Sequence, residues 1–517
     1  MSDLLASAGV VAAAGFAAAT ILLPRGRLRA AAMLAALALF PLLIAGDQWH
    51  SPQFVDLREE PLGFAALVAA ALAGAGILAA AFRRWPLALP LAIVFALPFR
   101  VPLEAGGDTA NLLIPLYLVI AGGVLTAVAR DWRLRPAGPV AAGDPPPPPV
   151  AKASSGAVPP TAPPAGVAAW LPRVLAAVVV LYALQAIYSP DFSKSLQNVC
   201  FFFVPFSLVY ALLRDVEWTQ KLLTLVLGVV ALEAVVFVLV GSVEYVTREL
   251  FWNDQVIRSN EFHTYFRVNS IFWDPNIYGR YLALVATVAM AVLLWAKEQR
   301  TFAMLTALVA VLWIGLVPTF SQSSFAALLG GLAVLAAIRW SVKWTAVAVG
   351  GVALLGVAIV IFAGGVSKLS PDRCNVDTGG RCNLIAGGVK LFGQRPLWGY
   401  GSGSFPRAYT EHAATKKAPV SVSHTEPVTV AAEQGLIGLG AYLALIGVAL
   451  WAMASGLFAR RAGGPAGIAI GRAAILAAFV ALLVHTMAYA GFFEDPIAWV
   501  LLAIGASLAA TPVRGAA

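Results

Sequence analysis

Long apolar runs recur from one end of the chain to the other, separated by short connections that carry polar and basic residues. Read as helices, the runs lie near 4–23, 30–45, 62–82, 86–99, 109–128, 168–188, 196–213, 219–241, 275–296, 301–317, 323–338, 345–364, 435–457, 472–491 and 497–511. About 20 apolar residues suffice to cross the roughly 30 Å hydrocarbon core of a bilayer as a helix. The pattern therefore predicts an all-α fold, a polytopic transmembrane helical bundle of about 12–15 helices, with a long extracytoplasmic loop before a C-terminal helix set. Closed barrels are excluded, because their strands alternate apolar and polar residues and these runs do not. The run at 86–99 holds Pro86, Pro90 and Pro98 and also suits a re-entrant segment. The first run follows Asp3 with no basic residue before it, which predicts a retained helix and not a cleaved signal.

Composition agrees with the pattern: 60% of the 517 residues are hydrophobic, 12% are charged and the mean hydropathy is +0.82, outside the range of soluble domains. The net charge of +9 does not point to nucleic acid, because the basic residues sit in short clusters between helices. Assigning those clusters to the cytoplasm, among them Arg25, Arg29, Arg83, Arg84, Arg130, Arg214, Lys297, Arg300, Arg339, Lys343, Arg460 and Arg461, closes the alternation of spans without a forced inversion. Three regions follow: N-terminal transmembrane helices over 1–135, a Pro-rich cytoplasmic linker over 136–167 expected to be disordered, and a second transmembrane domain over 168–517. Two loops expected on the outer side are long, 241–274 and 365–433, and a site would be assembled there.

Cys374 and Cys382 lie eight positions apart in the second loop, and a disulfide between them fits an oxidising exterior. Metal binding is the rival reading, but two cysteines without a nearby His make an incomplete zinc set. Cys200, within a helix, reads as a small buried apolar residue.

Three of the five histidines, His263, His412 and His424, fall in the two long loops. His424 stands just before a helix start marked by Pro427, with Thr425 or Glu426 as its cap. The positive end of that helix favours a neutral imidazole, which suits a general base; capping or a headgroup contact is the plainer alternative. Arg267 precedes the helix that starts near 275 and Arg280 lies inside it, where a guanidinium needs an acid partner or a polar cavity. Pairing with Asp274 or Glu433 is one reading of Arg280, and a diphosphate, which matches the forked donors, is the other. Neither a nucleotide-type glycine loop nor an evident metal-holding set is present, so no cofactor and no metal are expected.

Three passages resemble the O-antigen ligase and O-antigen polymerase superfamily of bacterial membrane glycosyltransferases, of the GT-C type. They are RVNSIFWDPNIYGRYLAL, PTFSQSSFAALLGGLAVL, and the pair RPLWGYGSGSF and SVSHTEPVTVAAEQGLIGLGAYLALIG, in the family's order. The likeness covers about residues 170–510, with the first three helices read as an addition to the family's usual dozen. It departs from the pattern twice: Thr425 stands where the family often has Asn, and Ser321, Gln322, Ser323 and Ser324 include no Arg where the family often has Ser-Arg.

The resemblance implies transfer or polymerisation of glycan from a polyprenyl diphosphate carrier in a multi-pass protein of the bacterial inner membrane, with its site facing the periplasm or exterior. It assigns His424 as the catalytic base and Arg267 and Arg280 as diphosphate-binding residues, with Glu433 and Asn276 as candidate supporting residues. The partners it implies are a polyprenyl diphosphate-linked glycan, the lipid bilayer and other polysaccharide assembly proteins. A polymerase is favoured over a ligase because it needs no lipopolysaccharide acceptor. A secondary transporter is the alternative class, and Glu233 and His485 would be its polar candidates within the membrane.

Overall fold

The structure is a computed structural model of the chain and describes residues 3–105, 108–132, 166–262, 265–364, 380–413, 422–455, 457–458 and 467–510. Helices α1 (Asp3–Leu22), α2 (Arg27–Asp47), short α3 (Pro52–Glu59), long α4 (Pro61–Arg84) and nine-residue α5 (Ala88–Ala96) come first. An antiparallel hairpin follows, β1 (Val101–Ala105) against β2 (Asp108–Leu112) with Val101 opposite Leu112, and leads into α6 (Ile114–Trp132). After the Pro-rich stretch come α7 (Trp170–Ala186), then α8 (Phe192–Asn198), which continues through a π-turn at Val199–Phe203 into α9 (Val204–Arg214). Next are α10 (Gln220–Thr247), α11 (Asp254–Phe262), α12 (Pro275–Leu293), α13 (Gln299–Leu316), α14 (Gln322–Arg339) and α15 (Val342–Gly364). The last group is α16 (Arg381–Gln394), α17 (Phe405–His412), α18 (Glu426–Ala454), α19 (Ile468–Thr486) and α20 (Pro496–Ala510). The expected linker lies outside the described residues apart from Gly166 and Val167, as do Cys374 and His263.

The protein is a polytopic helical bundle: among the described residues, 11 helices are long and apolar enough to cross a membrane. A helix satisfies its backbone polar groups internally, which hydrocarbon requires, so most of the apolar runs have folded as helices. Element starts follow local chemistry. Asp274 caps α12 by accepting the Asn276 N–H at 2.6 Å, and Pro275 fills the position where a missing N–H costs nothing.

The boundaries differ from expectation in four places. The run at 86–99 yields only α5, whose rise of about 13 Å is too short to cross alone, and the chain continues past it as Leu97–Arg100 into the hairpin. The run at 109–128 begins later, at Ile114, because Asp108, Thr109 and Asn111, poor helix formers, pair in β2. The loop at 241–274 is shortened by the end of α10 and contains α11, so it is not all coil. The span expected to start at 435 begins at Glu426 and breaks at Gly435, where φ is 65° and ψ −161°.

Helices α1, α2, α4, α5 and α6 share one hydrophobic core with the rest. Val10, Ile21 and Met33 belong to the same buried cluster as Leu175, Phe206 and Trp499. At one end of this core Arg25 and the buried Arg29 both bond Asp215, which follows α9, the Arg25 contact measuring 3.0 Å. These ion pairs join the N-terminal pair of helices to α9.

Candidate active site

Two stretches of loop define the site from below. The RPLWGYGSGSF stretch inserts into the break in α18: the Leu436 N–H donates to the Pro396 carbonyl at 2.7 Å, and Gly401 N–H donates to Glu433 O at 2.7 Å. The approach is close enough to require glycine. A Cβ on Gly399, whose φ is +67°, would stand 2.3 Å from the Glu433 carbonyl oxygen. Gly399→Ala is expected to destabilise the protein by more than the roughly 1–2 kcal/mol of the left-handed backbone alone, read as a lowered melting temperature; an unchanged one would refute the insertion.

Glu433 completes this anchor. Its carboxylate accepts the N–H groups of Gly403 at 2.8 Å and Phe405 at 2.9 Å, and among the described residues neither His424 nor an arginine bonds it. The supporting role considered for it, orienting His424 or pairing with an Arg, is therefore corrected: Glu433 holds the glycine loop. Glu426 does the same for a second loop, accepting Gly491 N–H at 2.6 Å and Phe492 N–H at 3.1 Å.

His424 sits between these anchors in a left-handed backbone conformation, φ 61°, in which His is rarer than Gly. Buried Ser423 holds the turn: its hydroxyl donates to the Thr425 carbonyl at 2.8 Å, accepts the Thr425 N–H and lies 2.7 Å from the Thr429 hydroxyl. Thr425 is the N-cap of α18, but its hydroxyl bonds the Met487 carbonyl at 3.0 Å and leaves the helix N–H groups uncapped. Burial, and then the positive charge of Arg381, hold the half-buried imidazole below its ordinary pKa, with Asp274 acting the other way. Neutral imidazole is thus the form this setting favours.

A cavity of about 410 Å³ opens beside His424 and is lined also by Arg100, Lys194, Arg280, Tyr489 and Asp495. The Tyr489 ring meets the His424 ring edge-on at 6.2 Å between centroids. Arg280 is 4% exposed and its Nη2 lies 2.9 Å from Oδ2 of Asp495, which is 3% exposed. Its carboxylate partner is therefore Asp495, neither Asp274 nor Glu433. Asp495 also accepts the Ile497 N–H on Oδ1 at 2.9 Å, so one carboxylate caps α20 and fixes the guanidinium. A smaller neighbouring pocket shares Lys194, Gly491 and Glu494 with this cavity and reaches Glu426, Glu433 and Tyr182.

Arg267 is placed differently. It is not among the cavity's lining residues; its Nε donates to the Thr319 carbonyl at 2.9 Å and its Nη2 to Asn276 Oδ1 at 3.2 Å. Asn276 in turn stands next to the buried serines of the TFSQSS passage, accepting Ser324 Oγ on its carbonyl at 3.4 Å. The loop carrying Arg267 is held by Glu244, which accepts the N–H groups of Asn269 at 3.2 Å and Ser270 at 2.7 Å. The structure thus brings His424 and Arg280 to one cavity and leaves Arg267 and Asn276 bonded to each other beside it.

The other polar candidates have local partners. Tyr281 donates to Glu233 at 2.6 Å and Ser323 Oγ lies 3.2 Å from His485 Nε2, so both groups pack against neighbouring helices. His412 is exposed and lies 3.7 Å from Glu411. Cys200 is a buried free thiol, and Cys382, in the first turn of α16, is disulfide-bonded. No group of three or more His, Cys, Asp or Glu suited to a metal occurs among the described residues.

Residues 307–443 match the family model described as O-antigen ligase. The chain carries a domain of the O-antigen ligase superfamily. No curated protein matches the chain. The matched stretch contains the serine cluster, Arg381, His424 and Glu433, and the match supports, in general terms, a membrane glycosyltransferase of the O-antigen ligase type. Arg100, Lys194, Arg280, Tyr489 and Asp495 lie outside the matched stretch, so the cavity joins the O-antigen ligase domain to helices on both sides of it.

Asp495, Arg381, Lys194 and Arg100 were not singled out by the sequence. Only Asp495 had a signal: FFEDP repeats the Asp-Pro helix start of FWDP, with a carboxylate at a membrane boundary that calls for a cation.

Proposed function

We propose that this cavity transfers glycan from a polyprenyl diphosphate carrier to an acceptor hydroxyl. The observation that carries the reading is the meeting, in one cavity, of a neutral-leaning His424 and an Arg280 whose orientation Asp495 fixes. His424 removes the acceptor proton as the acceptor oxygen attacks the anomeric carbon. The anomeric C–O bond to phosphate breaks, and polyprenyl diphosphate leaves with the electron pair. Arg280 stabilises the charge that develops on it. Attack from the side opposite the leaving group inverts the anomeric centre. Arg267 acts one layer behind, tying the start of α12 to the Thr319 turn and so setting where Arg280 stands.

The carrier's own diphosphate supplies the driving force, so no cofactor and no metal enter the scheme. The site faces the outer leaflet of the bacterial inner membrane, away from the Arg25 and Arg29 cluster. Phe202 lines the cavity, and Arg214 stands about 18 Å further along the same helical column, beside Asp215. The disulfide of Cys382 belongs to this outward side.

Polymerase and ligase share the step and differ in acceptor. Purified protein incubated with polyprenyl diphosphate-linked repeat units is expected to release polyprenyl diphosphate and lengthen glycan, with chelator present or absent. Extension of repeat units identifies a polymerase, and transfer only to an added glycolipid acceptor identifies a ligase. Release of no polyprenyl diphosphate with either acceptor would sink the reading.

A further inference from the structure

Besides Lys194, Arg100 is a cation in the cavity that nothing described so far employs. It lies between α5 and β1, in the N-terminal third of the chain and far from the stretch that matches the O-antigen ligase family. Leu97 and Pro98 just before it are buried, and Phe99 packs edge-on against Phe237 of α10 at 6.0 Å between centroids. These contacts fix the backbone from which Arg100 enters the cavity occupied by Arg280, His424 and Tyr489.

Charge pairing separates its position from that of Arg280. Arg280 and Asp495 compensate each other at 2.9 Å. No described carboxylate lies within ion-pair distance of Arg100, and the nearby charges that act on it are Asp495 and Arg280. An arginine in a half-buried wall, forked, planar and without a carboxylate of its own, suits an anion with several oxygens. A diphosphate has enough oxygens to meet two guanidinium groups at once, whereas a monophosphate meets two only by sharing one phosphorus centre.

We infer that Arg100 binds the carrier's diphosphate together with Arg280, so that the N-terminal helices are part of the transfer site and not an appendage to it. This inference rests on the glycan-transfer reading. It explains why α5 is too short to cross: the chain leaves the helix after Ala96, bends at Leu97 and Pro98 and continues without helical structure to Arg100, whose side chain lines the cavity.

The test compares binding of polyprenyl diphosphate and polyprenyl monophosphate of the same chain length to the purified full chain in nanodiscs. The unaltered protein is expected to prefer the diphosphate. Arg100→Gln keeps the stem and removes the charge; it is expected to lower diphosphate affinity by about tenfold or more, the scale of one charge-assisted hydrogen bond, and to narrow the preference. Arg339→Gln, outside the cavity, is expected to change neither affinity. A folded R100Q protein with undiminished diphosphate preference overturns the assignment while leaving glycan transfer standing. Unaltered protein that binds neither lipid sinks the transfer reading and Arg100 with it.

A second measurement needs no variant. The diphosphate lipid is expected to shield Arg100 from an arginine-directed dicarbonyl reagent, read on the peptide by mass, while Arg339 stays reactive. Equal modification of Arg100 with and without the lipid overturns the inference.

Discussion

Replacing His424 by alanine is expected to lower glycan transfer by about 10²- to 10⁴-fold, the usual contribution of a positioned general base, with polyprenyl diphosphate binding retained. The pH profile provides the sharper test. Burial and Arg381 hold the imidazole below its ordinary value of 6.5, so the base stays unprotonated, and transfer stays active, to a pH below that value. Transfer then falls as pH drops through the lowered pKa. Arg381→Ala removes the second of these causes and is expected to move the acidic limb upward, costing activity near pH 6 and little near pH 8. Full transfer by His424→Ala would remove the base assignment; an acidic limb unmoved by Arg381→Ala would remove only the electrostatic account of it.

The Arg280–Asp495 pair should produce the largest stability effect. Both groups are almost fully buried, and each single neutralisation strands the other charge in a low-dielectric setting. Arg280→Met alone is expected to cost about 3–5 kcal/mol, read by thermal unfolding in detergent. Asp495→Asn keeps a side-chain oxygen for the Ile497 N–H and strands Arg280. The double substitution is expected to recover most of the stability lost by either single change, because no unpaired charge remains, and to recover none of the transfer. Restored transfer in the double variant would show that Arg280 is structural, and single variants as stable as the parent would show that the pair is solvated.

Much of the candidate site was legible from residue chemistry. A histidine ahead of a helix N-terminus and an arginine inside an apolar helix both violate what a membrane bundle would otherwise choose, and both line the cavity. The roles of their neighbours were less accessible. Glu433 read as a partner for His424 or an Arg, yet its oxygens hold Gly403 and Phe405, because the loop inserted at the break near Gly435 brings its own backbone donors to it. Arg267 and Arg280 both read as diphosphate-binding residues, yet one bonds Thr319 and Asn276 while the other lines the cavity. A helix presents successive turns to different neighbours, and no sequence spacing says which neighbour a loop arginine will meet.

Hydropathy alone determined the helical architecture, since hydrocarbon leaves a backbone without water no alternative to satisfying its own donors and acceptors within each span. That term is local and summed over some 20 residues, which is why it survives in a one-dimensional reading. Tertiary structure decided the charge pairing: Asp495 against Arg280, Arg381 near His424, and Arg100 brought in by a short helix and the bend that follows it. Those contacts join positions from 43 to several hundred residues apart in the chain, and Coulomb's law depends on their separation in space, which the packing of helix ends sets and the order of residues does not.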